Sequence, residues 1–229
     1  MRLDEVTTVD VGTEPGVILA VPIGSCEQHG PHLPLGADTA IATALTDALA
    51  GHLDEVVVAP PLTITASGEH AGFPGTLSIG TAAMATVIVE LVRSADWAAG
   101  VVLVNGHGGN RDAVETAVAT CRHEARNVVA WWPHHPGGDA HAGRTETSLL
   151  LALRPDLVRL EAARPGVRTA LSELFPALRS GGVRAVSLNG VLGDPTGATA
   201  GEGWAILERW TGDLVATVRN FASTDRSAT

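Results

Sequence analysis

The sequence predicts a single α/β domain spanning residues 1–229, with a mostly parallel sheet flanked by helices on both faces. Short continuous apolar runs at residues 17–22, 56–59, 101–104 and 128–131 are typical of strands buried on both sides. Segments with helical periodicity separate these runs, and this alternation favours a parallel sheet. A length of 229 residues suits one large domain, and no long linker divides the chain.

The segments between the strands carry apolar residues at helical spacing. One face of the first helix holds Ile41, Leu45, Leu49 and Leu53, and the second helix repeats Met84, Val87, Ile88, Leu91 and Val92. We expect a third helix over residues 112–126 and a fourth through 149–153, with Glu146 in its first turn. The tail over 202–221 presents another apolar stripe, which suits the core or a subunit interface.

Composition excludes several classes of function. The formal net charge is −10, every basic residue is arginine, and no segment clusters them, so neither nucleic acid nor an anionic membrane is an expected partner. The acidic N-terminus differs from a signal peptide, and no apolar run approaches the ~20 residues of a membrane span. We therefore expect a cytoplasmic protein. Cys26 and Cys121 are too isolated to indicate a disulfide or a zinc motif.

The first polar cluster follows the first predicted strand. Glu27 and His29 are two residues apart in a loop rich in Gly and Pro, so their side chains point the same way in an extended segment, whereas Gln28 faces elsewhere. Asp38 follows, just before a predicted helix. It can cap that helix, or its carboxylate can bridge two metal ions, which together can bind an amide oxygen and activate water.

Two further clusters follow later strands. His107 lies in the glycine-rich turn 105–110, which can bind a metal or an anion but lacks a Walker lysine and GxGxxG spacing. His141 and Glu146 come after the fourth strand, where the competing interpretation is a polar loop before a helix capped by Thr145. Since sites form at the carboxyl ends of parallel strands, we expect all three clusters to meet.

Cys26 is a weak candidate for a thiol nucleophile. A nucleophilic thiol needs a nearby base and a lowered pKa, whereas the neighbouring carboxylate of Glu27 would raise it. A metal-dependent hydrolase is therefore favoured over a cysteine hydrolase.

Four ordered motifs, at residues 24–38, 70–79, 105–110 and 141–148, closely resemble those of the creatininase family. The resemblance runs from about Val17 to Gly203. It implies a metal-dependent amidohydrolase with an α/β fold and two divalent ions per subunit, Fe²⁺ or Zn²⁺, with Mn²⁺ as a further option. It also implies a homo-oligomer, a hexamer or a similar ring.

The resemblance further implies a ligand set. Glu27, Asp38 and His107 would hold one metal, and His29 and the bridging Asp38 the other. Creatininase has Tyr and Glu after the motif histidine, where this chain has glycines at positions 108 and 109, so creatinine hydrolysis is not expected. Glu146, which the wider family shares, is the expected replacement ligand.

Other roles are also carried over from the resemblance. His141 would serve as a proton donor or oxyanion partner, with Asp139 orienting it. Arg144 stands where many relatives have Glu and is expected to bind a substrate carboxylate. We also expect His70 and Phe73 to contact the substrate. The competing interpretation of their loop, residues 69–79, is a structural turn anchored by Phe73.

The runs at 138–153 and 182–197 look like a peptidase subgroup of the family that acts on a modified precursor peptide of ribosomal origin. This likeness implies cleavage near the C-terminus of that peptide, releasing a fragment derived from its terminal Val-Tyr pair. Three alternatives stay open: a hydrolase of a cyclic amide, formamide or ureido compound, a non-catalytic binding protein, and a phosphate-binding module.

Overall fold

Four parallel strands form the centre of the fold in a computed structural model that describes residues 1–12 and 16–226. The strands are β1 (Ile18–Ile23), β2 (Val56–Val58), β3 (Gly100–Asn105) and β4 (Val128–Trp131). Their order is β2-β1-β3-β4, and all three neighbouring pairs are parallel. The predicted parallel sheet is thus confirmed, and no strand end differs from the predicted one by more than one residue.

Seven α-helices lie in the described part of the chain: α1 (Thr8–Val11), α2 (Ala37–His52), α3 (Thr81–Ser94), α4 (Arg111–His123), α5 (Arg144–Leu153), α6 (Leu171–Val186) and α7 (Ala200–Arg226). The helices expected from apolar periodicity correspond to α2, α3, α4, α5 and α7. Among the described residues, none of these helices is both long and apolar enough to cross a membrane.

Helices cover both faces of the sheet, as predicted. On one face, Ile18 and Ala20 of β1 pack with α2, α5 and α7, while on the other Leu19 and Val21 pack with α3 and α4. This division follows from the period-two alternation of a strand. The apolar stripe of α7, with Trp210 among its residues, belongs to the core.

The sequence does not predict α6, and its structure explains why. Pro176 lies inside this helix, and Gly182 (φ 67°) interrupts the helical backbone. Val183 is its one buried residue, whereas Leu171 and Phe175 are 40% and 50% exposed. The apolar residues at 171, 174, 175 and 178 do have helical spacing, but Pro176 and Gly182 disfavour a helix interior and interrupt this pattern.

The strand order places the candidate site. The chain passes from β1 to β2 on one side and then crosses to β3 on the other, so the loops after β1 and β3 diverge at the carboxyl edge of the sheet. Such a switch point opens a crevice. The loop carrying Glu27 and His29 follows β1, and the loop carrying His107 follows β3.

Candidate metal centre

Asp38 lies at the centre of the polar cluster, buried in the first turn of α2. Its Oδ1 is 3.1 Å from His29 Nε2, and its Oδ2 is 3.2 Å from His107 Nδ1. Ser25 Oγ donates to Oδ2 at 2.8 Å. The N-cap position belongs to Gly36, so Asp38 faces the imidazoles and does not cap the helix.

Glu27 brings a second buried carboxylate to the cluster. Its Oε2 is 3.1 Å from His107 Nε2, and its Oε1 is 3.3 Å from His70 Nε2 and 3.8 Å from His141 Nδ1. Both oxygens are shielded from solvent, and neither meets hydrogen-bond geometry with a neighbour. A buried carboxylate in this state is costly unless a cation compensates it.

Four groups of side chains among the described residues have the spacing of metal ligands, namely Glu27 with His29 and His141, Glu27 with Glu69 and His70, and two groups that share Asp38. Glu27, Asp38 and His107 bring their ligand atoms within 4.8 Å of one another, and so do His29, Asp38 and Glu146. These are the two sets that the family resemblance implies, with Asp38 common to both. Glu146 Oε2 lies 3.9 Å from His29 Nε2.

Backbone contacts orient His29 toward Asp38. Its Nδ1 donates to the Glu27 carbonyl oxygen at 3.1 Å, so in the neutral ring Nε2 keeps a free lone pair on the Asp38 side. This arrangement is common for metal-binding histidines, since the second nitrogen then fixes the tautomer. Gly30 (φ 65°) turns the chain directly after His29.

The glycine-rich turn after β3 brings His107 close to α2. A Cβ at Gly106 would lie 2.9 Å from the Asp38 carbonyl oxygen, so a larger residue would push the loop and the helix apart. Asn105 Nδ2 donates to the His107 carbonyl oxygen at 2.7 Å, and Asn110 Nδ2 donates to Gly24 at 3.0 Å. These asparagines therefore hold the loops in place.

The cluster perturbs its own ionisation. Burial opposes a charge on His29, but the surrounding carboxylates, Asp38 first, raise its pKa to about 10. Burial, together with the Asp38 charge, raises the pKa of Glu146 to about 7 against the opposing effect of His29. Burial also opposes ionisation of Asp38, yet His29 and His107 hold its pKa well below the usual value.

Glu69 belongs to the same cluster, although the sequence analysis did not select it. Its Oε1 is 3.3 Å from His107 Nε2. A Cβ on Gly109 would overlap both this oxygen and His107 Nε2, so the carboxylate of Glu69 fills the space left by the missing side chain. Glu69 directly precedes His70, the first residue of the second motif, and this position was the sequence signal that could have identified it.

His141 and His70 also lie at the cluster, and their rings are 4.5 Å apart. Burial lowers the pKa of His141 well below its usual value, and the nearby His29 and His70 lower it further. Gln28, expected to face elsewhere, is buried, and its side-chain nitrogen contacts both rings. Its side chain reaches them because the loop after β1 is not a regular strand.

Asp139 is placed differently from the expectation. Its Oδ2 accepts the Arg144 N–H at 2.5 Å and its Oδ1 accepts the Asp194 N–H at 3.3 Å. Asp139 therefore anchors the start of α5 and the 194 loop, and no hydrogen bond among the described residues joins it to His141. Five residues before the first residue of the helix, an acidic side chain satisfies an N–H that lacks a helical partner.

Arg144 and Phe73 are also placed differently from the expectation. Arg144 Nε forms an ion pair with Glu202 of α7 at 2.8 Å, at the start of α5 and outside the cavity next to the cluster. The Phe73 ring packs under the Arg184 guanidinium at 5.5 Å. This favours the alternative interpretation, a turn anchored by Phe73, and neither side chain lines that cavity.

A cavity of about 870 Å³ opens beside the cluster. Asp38, His70, His107, His141, Glu146 and Glu69 line its floor, and α6 supplies an apolar wall that includes Leu171, Phe175 and Leu178. Arg111 and Arg179 add positive charge to the lining. The site thus combines a polar floor, an apolar wall and cationic groups, as small-molecule and peptide sites do.

Known proteins resemble this chain in sequence and in fold. The creatininase family model, described as creatinine amidohydrolase, matches residues 4–218. The mycofactocin precursor peptide peptidase of Mycolicibacterium smegmatis is 52% identical over 197 residues, covering 83% of this chain and 79% of that protein.

Solved creatininases share the fold. A mutant described as the Zn-Zn type has a TM-score of 0.78 at 24% identity, covering 96% of this chain and 97% of that chain. A structure described as creatininase Mn has a TM-score of 0.79 at 24% identity, with the same coverage of both chains.

Proposed function

Because this chain belongs to the creatininase family, we propose that it is a metal-dependent peptidase that cleaves the mycofactocin precursor peptide. The observation that carries the proposal is Asp38, whose two oxygens each face a different imidazole in a buried cluster. The 52% identical relative is named for cleavage of that peptide. We propose that cleavage occurs near the C-terminus and releases a fragment derived from the terminal Val-Tyr pair.

The buried residues fit two divalent ions. Both carboxylate oxygens of Glu27 are buried without a hydrogen-bond partner, and a cation next to them would offset the free-energy cost of burying this charge. We assign Glu27, Asp38 and His107 to one ion, and His29, Asp38 and Glu146 to the other. Mixed carboxylate and imidazole ligands suit Fe²⁺, Zn²⁺ or Mn²⁺. When bound, such ions polarise an amide carbonyl and lower the pKa of water.

His141 is proposed to move protons during cleavage. Its Nδ1 faces the cluster, 3.8 Å from Glu27 Oε1, and the lowered pKa keeps the ring neutral before reaction. The ring can therefore take up the proton that an attacking water loses and deliver it to the leaving amine. A positioned acid or base of this kind contributes about 10²- to 10⁴-fold to the rate.

The cavity supports a peptide substrate. Its volume of about 870 Å³ exceeds the need of a single cyclic amide and approaches the upper end of ~300–1,000 Å³ for sites of drug-sized ligands. Leu171, Phe175 and Leu178 offer an apolar surface for an aromatic or branched side chain. Arg111 and Arg179 offer cationic partners for the terminal carboxylate of a peptide.

The test is a direct assay of the purified, metal-replete protein. Modified and unmodified precursor peptides would be incubated beside a panel of cyclic amides, formamides and ureido compounds, with products identified by mass spectrometry. Release of a Val-Tyr-derived fragment supports the proposal. Turnover of the small amides alone would favour a general amidohydrolase over the peptidase. If metal analysis of the protein as purified showed no bound ion, a non-catalytic binding protein would be favoured.

We also propose a cytoplasmic homo-oligomer, a hexamer or a similar ring. Large apolar side chains stay exposed on the single chain, including Phe175 at 50%, Leu188 at 86% and Trp204 at 53%. Exposed apolar side chains are typical of subunit contacts where they form a contiguous patch, and the family resemblance implies such contacts. Light scattering after size-exclusion chromatography would give the number of subunits, and a monomer would contradict the proposal.

A further inference from the structure

The side-chain amide of Gln28 has an orientation that backbone groups determine. Its Oε1 accepts the Gly30 N–H at 2.9 Å, and its Nε2 donates to the Gly190 carbonyl oxygen at 3.1 Å. An N–H can only donate and a carbonyl can only accept, so these two contacts decide which end of the amide is oxygen and which is nitrogen.

This orientation decides the tautomer of His70. Gln28 Nε2 lies 2.9 Å from His70 Nδ1, and because the amide nitrogen is a donor, Nδ1 must accept. A neutral imidazole carries one proton, so that proton is on Nε2. His70 Nε2 lies 3.3 Å from Glu27 Oε1, which places an N–H beside a buried carboxylate oxygen.

The backbone of Gln28 decides the tautomer of His141. His141 Nε2 lies 2.8 Å from the Gln28 carbonyl oxygen, which can only accept, so Nε2 carries the proton. The amide nitrogen of Gln28 is also 3.1 Å from this atom, but its two hydrogens already go to His70 and Gly190. The neutral ring therefore turns an unprotonated Nδ1 toward Glu27.

Gly190 makes room for this arrangement. It has a φ of 80°, and a Cβ built on it would overlap Gln28 Oε1. Gln28 and Gly190 are 162 positions apart, so the segment 182–197 reaches back to the loop after β1. The close approach of the Gln28 amide thus explains why position 190 is a glycine.

We propose that Gln28 is a positioning residue that sets the tautomers of both histidines. The side-chain amide leaves His70 with its proton on Nε2, which lies 3.3 Å from Glu27 Oε1. The backbone carbonyl leaves His141 with a free Nδ1 directed at the cluster. The consequence for the rate rests on the proposed function, because His141 can then accept a proton only at Nδ1, the ring nitrogen that faces the cluster.

The tautomers can be measured without a substrate. Solid-state nitrogen NMR of Zn-loaded protein labelled with ¹⁵N-histidine distinguishes protonated from unprotonated ring nitrogens, and His70→Gln and His141→Gln variants assign the signals. We expect both rings to be protonated at Nε2 in the native protein. A native His70 protonated at Nδ1 would overturn the proposal, whatever the enzyme cleaves.

Substitution of Gln28 gives directional results. In Gln28→Leu, no amide donates to His70 Nδ1, so we expect a Nδ1–H population of His70 to appear. In Gln28→Glu, the carboxylate can accept from that nitrogen, so the Nδ1–H form should dominate. For the peptidase reaction of both variants, we expect kcat to fall about 10- to 100-fold, with KM changed less than about twofold.

Gly190→Ala tests the same link without changing Gln28, and it serves if the Gln28 variants do not fold. Gly16→Ala is its control, because Gly16 has the same φ of 80° but nothing within 4 Å of an added Cβ. We expect Gly190→Ala to shift the His70 signals and Gly16→Ala to leave them unchanged. Native tautomers and native kcat in Gln28→Leu and Gly190→Ala would overturn the proposal.

Discussion

The carboxylate of Glu69 occupies the space that a side chain at Gly109 would fill, because a Cβ on Gly109 would overlap Glu69 Oε1. The same oxygen lies 3.3 Å from His107 Nε2, so the absence of a side chain at position 109 allows a carboxylate from another loop to reach the cluster. This relationship distinguishes the chain from creatininase, which has Glu at that position.

Gly109→Ala is expected to impair metal binding. The added Cβ would meet Glu69 Oε1, His107 Nε2 and the Ala66 carbonyl oxygen, and the backbone contact cannot relax by a rotamer change. We expect bound metal, measured by elemental analysis after dialysis, to fall severalfold. The neighbouring Gly108→Ala is the control, since nothing lies within 4 Å of its added Cβ. Equal metal content in both variants would contradict the shared-space argument.

Glu69→Gln is expected to lower activity with little effect on folding. The side chain of Glu69 is 33% exposed, and it faces His107 and the cavity. Loss of its charge removes a partner of a ligand histidine, a change that typically costs about 10- to 100-fold in metal affinity or activity. Glu90→Gln, at a 62% exposed carboxylate of α3, should behave like the native protein. Native activity in Glu69→Gln would show that the proximity of Glu69 to His107 has no role in the reaction.

Asp38→Asn is expected to lose bound metal and nearly all activity. The amide has only one oxygen, so it cannot present an acceptor both to the group with His29 and to the group with His107. Elemental analysis and the peptide assay would measure the effect. The matched control is Asp47→Asn, on the same helix, where the side chain is 47% exposed and pairs with Arg2. Full activity of metal-replete Asp38→Asn would disprove the bridging role.

Metal uptake should release protons and weaken as the pH falls. In the metal-free cluster, His29 has a pKa of about 10 and Glu146 of about 7, so both bind protons that a metal must displace. His29 is protonated throughout the range below its pKa, whereas protonation of Glu146 adds to the competition only as the pH falls through about 7. Affinity should therefore decline more steeply below this point.

A chelator-competition titration with Zn²⁺ at several pH values would measure this dependence. In Glu146→Gln the affinity should be lower throughout, and the additional steepness below about pH 7 should vanish because the amide does not titrate. An affinity independent of pH would contradict the assigned ligands.

Arg179→Ala is expected to raise KM for the peptide severalfold with a smaller change in kcat. Arg179 lines the cavity, and its positive charge can bind the terminal carboxylate. Arg144→Ala is the comparison, since Arg144 pairs with Glu202 outside that cavity and should leave KM near the native value. The reverse pattern would restore Arg144 as the carboxylate-binding residue.

The fold and the meeting of the polar clusters could be predicted from the sequence because their signals are local, whereas the division into two ligand sets was implied by the resemblance to the creatininase family. Apolar runs and helical stripes repeat with the period of their own strand or helix. Glu27 and His29 are near neighbours, and parallel strands bring the loops after β1 and β3 to one edge of the sheet. Helix α6 was not predicted because Pro176 and Gly182 interrupt its helical pattern.

The sequence by itself determined the parallel α/β class and the residue types of the candidate metal centre. Only the tertiary structure decided the partners of Asp139 and Arg144 and the close approach of Glu69 to Gly109. It also decided the contact of Gln28 with Gly190, 162 positions away. These contacts join loops that are distant in the chain, and their geometry depends on how the helices pack on the sheet. Periodicity within one segment carries no information about that packing.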